Sequence, residues 1–150
     1  MQVVVLTGIQ GSGKSTFCRE RLFNTHLRIN LDMLRTRHRE KTLFDACLAC
    51  GQDVVIDNTN PTAADRARYI GPAQAAGAEI VGYYFSSRTS EAIERNTRRQ
   101  ELRRVPDKAI LGTARRLELP RQSEGFDALF YVTCVGESAF SVDDWRDEVH

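Results

Sequence analysis

Residues Gly8-Ile9-Gln10-Gly11-Ser12-Gly13-Lys14-Ser15 fit the pattern G-x-x-x-x-G-K-[ST] without a mismatch, directly after the apolar run Val3-Val4-Val5-Leu6. A chain so patterned has to pass from a buried strand through a tight loop into a helix. Glycines at 8, 11 and 13 let the loop turn its N–H groups inward, as a nest for phosphate oxygens at a helix N-terminus. Gly11, Ser12, Gly13, Lys14, Ser15 and Thr16 are the residues expected to cradle the phosphates. Lys14 reaches the β/γ-phosphates as a point charge, and the Ser15 hydroxyl is placed to ligate Mg²⁺. The implied ligand is a nucleoside triphosphate.

The rest of the chain has to supply a sheet for that loop. Apolar runs at 3–6, 54–56, 80–85 and 129–135, with the weaker 27–31, predict five strands separated by helix-length stretches. Strand and helix in alternation imply right-handed crossovers and a parallel sheet covered on both faces. The expectation is an α/β fold with helices on both faces, one domain over 1–150, and an arginine-rich lid at about 86–105. Helices are predicted from Ser15 to Leu22, over 43–50, from Asn60-Pro61 to Gly77, and from Pro106-Asp107 with Ile110, Ala114 and Leu117 inward. No apolar run nears the ~20 residues that span a bilayer, and the chain enters a strand at once, so the expectation is a soluble, intracellular protein with no membrane contact.

Formal net charge is +1, which disfavours a protein that coats nucleic acid by bulk electrostatics. The distribution is more informative. Arg28, Arg35, Arg37, Arg39 and Lys41 fall in one segment, and Arg88, Arg95, Arg98, Arg99, Arg103 and Arg104 in another. Asp143, Asp144, Asp147 and Glu148 gather near the C-terminus. Two basic patches fit a phosphate-rich ligand; solvated helix faces are the other reading. Cys47 and Cys50 form a C-x-x-C without a second pair or close histidines, so Cys18, Cys47, Cys50 and Cys134 read as small core residues. His26, His38 and His150 read as surface or core histidines, with His38 alone inside a basic run.

In an open parallel sheet, ligands sit at the carboxyl ends of the strands. Asp32 lies there after the second predicted strand, and Asp57-Asn58-Thr59-Asn60 after the third. One acid at the third strand's end, where motor ATPases carry a pair, and no N-K-x-D-like base-reading segment favour a kinase. A kinase needs a carboxylate for the attacking hydroxyl and arginines on the transferring phosphoryl group. Asp32 fits the first need, although it also reads as a helix cap, with Arg35 on the same helical face. Arg95 and Arg99, four apart, fit the second.

Several segments together resemble the kinase domain of the 5′-hydroxyl polynucleotide kinases, a family often joined to a 3′-phosphatase. They are Gly8 to Thr16, residues 29–35 (INLDMLR), residues 56–61 (IDNTNP), Arg66-Ala67-Arg68-Tyr69, Arg95-Asn96 through Arg99, Val105-Pro106 and Glu124-Gly125-Phe126. The resemblance covers roughly residues 3 to 135. It implies a P-loop kinase fold with strand order 2-3-1-4-5 and transfer of the ATP γ-phosphoryl group to a DNA or RNA 5′-OH in end repair, using Mg²⁺. It also implies roles: Lys14 and Ser15 at phosphates and metal, Asp32 as general base, Arg35 on the acceptor phosphate, Arg99 with Arg95 on the donor, and Val105 near the terminal base. Asp57 either meets Mg²⁺ through water or orients Thr59 and the base. Leu31 stands where some members carry arginine, so one charge contact is missing. No Asp-x-Asp phosphatase signature occurs, so a phosphatase or ligase partner is expected outside this region. A small-molecule P-loop kinase and a non-catalytic nucleotide-dependent module are the alternatives.

Overall fold

The computed structural model describes residues 1–86, 88–99, 104–136 and 139–146. Arg103, Asp147, Glu148 and His150, singled out above, lie outside the described residues, as do positions 87 and 100–102 of the expected lid.

Strand β1 (Gln2–Thr7) is central, flanked by β3 (Val54–Ile56) and β4 (Glu79–Phe85); β2 (Leu27–Ile29) pairs with β3, and β5 (Ala128–Cys134) with β4. These pairings are all parallel. The sheet has six strands, one more than expected, in the order β2-β3-β1-β4-β5-β6, because β6 (Phe140–Asp144) adds antiparallel to β5. Asp143 and Asp144, noted in the sequence only as acids gathered near the C-terminus, belong to this strand. They sit on an edge strand, where outward charges discourage further strand pairing.

Strand periodicity splits the core in two. Val3 and Val5 face one side with Ile29, Val54, Ile56 and Ile80, under Phe44 of α3 (Arg37–Cys50) and Tyr69 of α4 (Ala63–Ala75). Val4 and Leu6 face the other side with Val55, Phe85 and Val132, under Phe17 of α1 (Lys14–Phe17) and Cys18. Full burial of such side chains stabilises by roughly 1.5–3 kcal/mol each, which anchors β1 on both faces and fixes where its loop emerges.

Several helix boundaries differ from the sequence expectation. The first helix is α-helical only to Phe17 and continues as a π-helical turn over Cys18–Leu22. Helix α3 begins earlier than expected, capped by the Thr36 side chain. Helix α4 starts at Ala63, with Thr62 and Asp65 forming a capping box, so Asn60-Pro61 is not its start. Asn60 instead adopts φ +44° and donates its Nδ2 to the Leu6 carbonyl at 2.7 Å, tying the end of β3 to β1. Within α4 Ala67 is exposed, whereas Arg66, Tyr69, Ile70 and Ala73 are buried. In α6 (Asp107–Arg116) Ile110 is fully buried, Ala114 is half-buried and Leu117 lies just past the helix.

The segment expected to be a mobile cover contains a packed helix, α5 (Thr89–Thr97). Its Ala92 is 1% exposed and joins Ile9 and Ile110 in a third apolar cluster, so this face binds the phosphate loop rather than floating above it. Cys18 and Cys47 are buried as expected and Cys134 is half-buried, whereas Cys50 is exposed at the last position of α3.

Arg66 is the largest side chain wholly out of solvent. It forms a two-pronged ion pair with Glu124 (2.8 and 3.0 Å) and donates to the carbonyls of Asn60 and Pro61. Arg66→Ala leaves the carboxylate uncompensated and is expected to cost about 3 kcal/mol or more. Urea unfolding measures this, and a loss under ~1 kcal/mol would show the pair to be dispensable.

Candidate nucleotide and phosphoryl-transfer site

The loop between β1 and α1 is shaped from three sides. Gly8 N–H donates to the Thr59 carbonyl at 3.0 Å, docking the loop on the end of β3. Gly11 has φ +79°, and a Cβ there would lie 2.6 Å from the Ala92 carbonyl of α5. Gly13 has φ +103°, and a Cβ there would lie 2.8 Å from the Cys134 sulfur. Only glycine satisfies both the left-handed backbone and these close approaches. Cys134 also donates its thiol to the Ser12 carbonyl at 3.3 Å, a loop contact that the core reading of this cysteine did not include.

Lys14 folds back along the loop, its Nζ donating to the carbonyls of Gly8 and Ile9, each at 2.8 Å. Burial pushes its ammonium down from 10.5 to about 8; Asp57 pulls it up, Arg99 pushes it down, and Asp32 adds a weaker upward pull. One lysine thus feels the carboxylates after β2 and β3 and the arginine after α5. A triphosphate at the loop would supply the negative charge this lysine lacks.

Asp57 ends β3 and is 2% exposed. Its Oδ2 accepts from Ser15 Oγ at 2.9 Å and from Arg28 Nε at 2.8 Å, while Arg28 Nη2 donates to Ser15 Oγ at 3.3 Å. A hydroxyl beside a single carboxylate at a phosphate loop is the donor set Mg²⁺ takes when nucleotide phosphates supply further ligands. The residues present therefore fit that ion. Thr16, next in α1, is half-buried.

Asp32 lies in a four-residue helix, α2 (Leu31–Leu34), and is exposed. The cap is Asn30, whose Oδ1 accepts from Met33 N–H, so Asp32 is not tied up as a cap. Arg35 follows the helix at φ +74° instead of continuing it, so the expected shared helical face is absent. Two asparagines hold α2: Asn30 Nδ2 donates to the Asp57 carbonyl at 2.6 Å, and Asn58 Oδ1 accepts from Leu31 N–H at 2.8 Å. Asn58 Nδ2 donates in turn to Glu40 at 2.9 Å, and Glu40, 2% exposed, also accepts from Tyr69 and Arg37. Burial and the neighbouring Glu40 push the Tyr69 hydroxyl's titration up, which keeps it a donor.

Arg95 donates to the Gly11 carbonyl at 3.1 Å from α5. Arg99 lies two residues past the end of that helix, so the expected single helical face for the two is not formed; its charge nevertheless registers at Lys14. Thr59 contributes its carbonyl to Gly8. Val105 packs on the Ile9, Ala92 and Ile110 cluster, its backbone clamped on both sides by Asn96. The sequence did not mark Arg28, Asn30, Glu40 or Cys134 as site residues. Arg28 was legible in principle: it pairs with Val55 in register, and Asp57 lies two residues on, hence on the same sheet face.

The AAA domain family matches residues 3–120, most of the chain, and the chain belongs to that family. It is 31% identical over 129 residues to a bifunctional polynucleotide phosphatase/kinase of Schizosaccharomyces pombe, a match covering 83% of this chain. The chain spans 32% of that relative's length. Kti12 of Chaetomium thermophilum, solved with ADP-AlF3, superposes with TM-score 0.64 at 20% identity, covering 90% of each chain. A gluconokinase from Sinorhizobium meliloti 1021 gives TM-score 0.61 at 19% identity, covering 91% of this chain and 85% of its own. The fold is that of the α/β P-loop kinases. No described helix is long and apolar enough to cross a membrane.

Two outcomes follow from these contacts. Lys14→Met removes a buried ammonium whose cost is complete below pH 8 and fades as pH rises toward 10.5, where the unfolded lysine also loses its proton. The variant is therefore expected to be more stable than the parent by about 1–3 kcal/mol at pH 7, with the difference shrinking toward pH 10 in urea melts. Asn58→Ala and Glu40→Ala each break one network, so each costs about 1–3 kcal/mol. Their double variant should fall short of the sum; additive losses would separate the two residues.

Proposed function

We propose that this AAA domain protein is an ATP-dependent polynucleotide 5′-hydroxyl kinase. The observation that carries the reading is the placement of Asp32: an exposed carboxylate, uncommitted as a cap, whose charge is felt at the lysine of the phosphate loop. Asp32, Met33 and Arg35 are all exposed, which suits an acceptor presented as the end of a chain better than an enclosed metabolite. The naming of the fission yeast relative supports the same acceptor.

In this mechanism the loop N–H groups and Lys14 hold the ATP phosphates. Asp32 accepts the proton of the 5′-hydroxyl as its oxygen bonds to the γ-phosphorus, the bond to the β–γ bridging oxygen breaks, and ADP leaves. Arg95 and Arg99 face the donor phosphates and offset the charge spread over the transferring group. Arg35 takes the phosphate on the 3′ side of the reacting nucleotide, Thr59 lines the substrate side, and Val105 borders the terminal base. Mg²⁺, when bound, supplies further neutralisation of the β- and γ-oxygens, with Ser15 and Asp57 to hold it. The product, a 5′-phosphorylated end, is what a ligase consumes, so end repair is the setting this reading assigns.

Labelled ATP offered with a 5′-hydroxyl oligonucleotide, and separately with a mixture of sugars and other small hydroxyl compounds, tests the reading. Transfer to the oligonucleotide is expected, and transfer confined to the small compounds would overturn it. Asp32→Ala should lower transfer ~10³-fold or more while ATP affinity stays within about twofold. Arg35→Ala should raise the oligonucleotide KM and leave the ATP KM unchanged.

A further inference from the structure

Arg28 is a cation already lodged between the two side chains that fit Mg²⁺. It reaches Asp57 Oδ2 at 2.8 Å and Ser15 Oγ at 3.3 Å, and Ser15 Oγ is 2.9 Å from the same carboxylate oxygen. The three groups form a closed triangle on the α1 face of the sheet. Its origin is topological: β2 lies beside β3 in parallel, Arg28 is opposite Val55, and the two-residue period returns Asp57 to that face. Asp57 is 2% exposed, so its charge requires a partner, and Arg28 is its one ion-pair partner among the described residues. Arg28 itself is 38% exposed at the side chain, so the guanidinium has a route into solvent that the carboxylate lacks.

We propose that Arg28 is the resident cation of the metal subsite, holding Asp57 and Ser15 in position in the absence of Mg²⁺ and exchanging with the ion when nucleotide brings it in. One Asp57 oxygen accepts from both Arg28 and Ser15, so a cation coordinated at that oxygen meets the guanidinium both sterically and as a like charge. Metal binding is then an exchange of one positive charge for another. Two consequences separate this role from a merely structural one. Removing the arginine's charge strengthens metal binding, and the metal compensates for the arginine's loss.

The inference concerns the nucleotide side of the site and holds whatever the acceptor is. It is tested with Mn²⁺ as an electron-paramagnetic-resonance probe in the presence of ADP, on the parent chain, Arg28→Met and Arg28→Gln. Arg28→Met is expected to bind Mn²⁺ roughly fivefold more tightly or better, because a like charge beside the site is gone. Arg28→Gln keeps a hydrogen-bond donor without the charge, gives the same direction, and serves if the methionine variant does not fold. In thermal melts without nucleotide, Mg²⁺ should raise the midpoint of either variant more than that of the parent. On an Asp57→Asn background the effect of Arg28 on Mn²⁺ affinity should vanish. Equal or weaker Mn²⁺ binding by both charge-free variants would overturn the proposal, showing that the arginine prepares the site for the metal instead of standing in its place.

Discussion

A carboxylate removed from water at the end of β3 organises the mouth of this sheet. Asp57 is almost wholly buried, and an ionised carboxylate there is tolerable only with compensating donors and charges. Two neighbouring elements supply them: β2 gives Arg28, and the start of α1 gives Ser15 and, at longer range, Lys14. The backbone of the same residue is used as well, its N–H donating to Ile29 and its carbonyl accepting from Asn30. One residue therefore fixes the edge strand, the first helix and the start of α2 relative to one another. A buried charge that draws partners from neighbouring elements in this way also aligns those elements at the mouth of the sheet.

The loop is equally over-determined by packing. Gly11 presses on α5 and Gly13 on Cys134 and Phe140, so elements from the far half of the chain set the shape of a loop coded in its first fifteen residues. Phe140 stacks edge-on with Phe17 at 5.3 Å, bringing the sixth strand against the first helix. This explains why α5 does not behave as a detached cover. Its Ala92 and Asn96 are buried, and Asn96 clasps Val105 from both sides, so α5 is pinned to the residues that lead into α6.

The sequence revealed what depends on local order. The phosphate loop, the parallel strands and the strand-end positions of Asp32 and Asp57 are encoded in contiguous patterns, and they stand where those patterns put them. What stayed illegible depends on distant partners. Arg66 and Tyr69 were noticed only as part of a family resemblance; their physical reasons are Glu124, fifty-eight positions away, and the Glu40 and Asn58 network. Asn60 looked like a cap because asparagine before proline is a good local signal, yet its side chain donates to a β1 carbonyl and Thr62 caps the helix instead. The strand β6 was hidden because an edge strand facing water carries charges that read as a tail.

Helix α2 shows how little of this end of the sheet is self-supporting. A helix of four residues cannot persist alone in water, since nucleation fixes several dihedral angles for a single hydrogen bond. Helix α2 stands because Asn30 and Asn58 hold its first turn, and Asn58 is held by Glu40 and Tyr69, which are anchored in the core under α3 and α4. The position of Asp32 is thus inherited from the interior through a relay of amide and carboxylate contacts, while its side chain stays in solvent. Arg35, at a positive φ that a non-glycine residue pays to adopt, turns the chain from α2 into α3 and leaves its guanidinium exposed beside that carboxylate's helix. Asp32 and Arg35 are thus two exposed, oppositely charged side chains on a short segment whose backbone is held from the core.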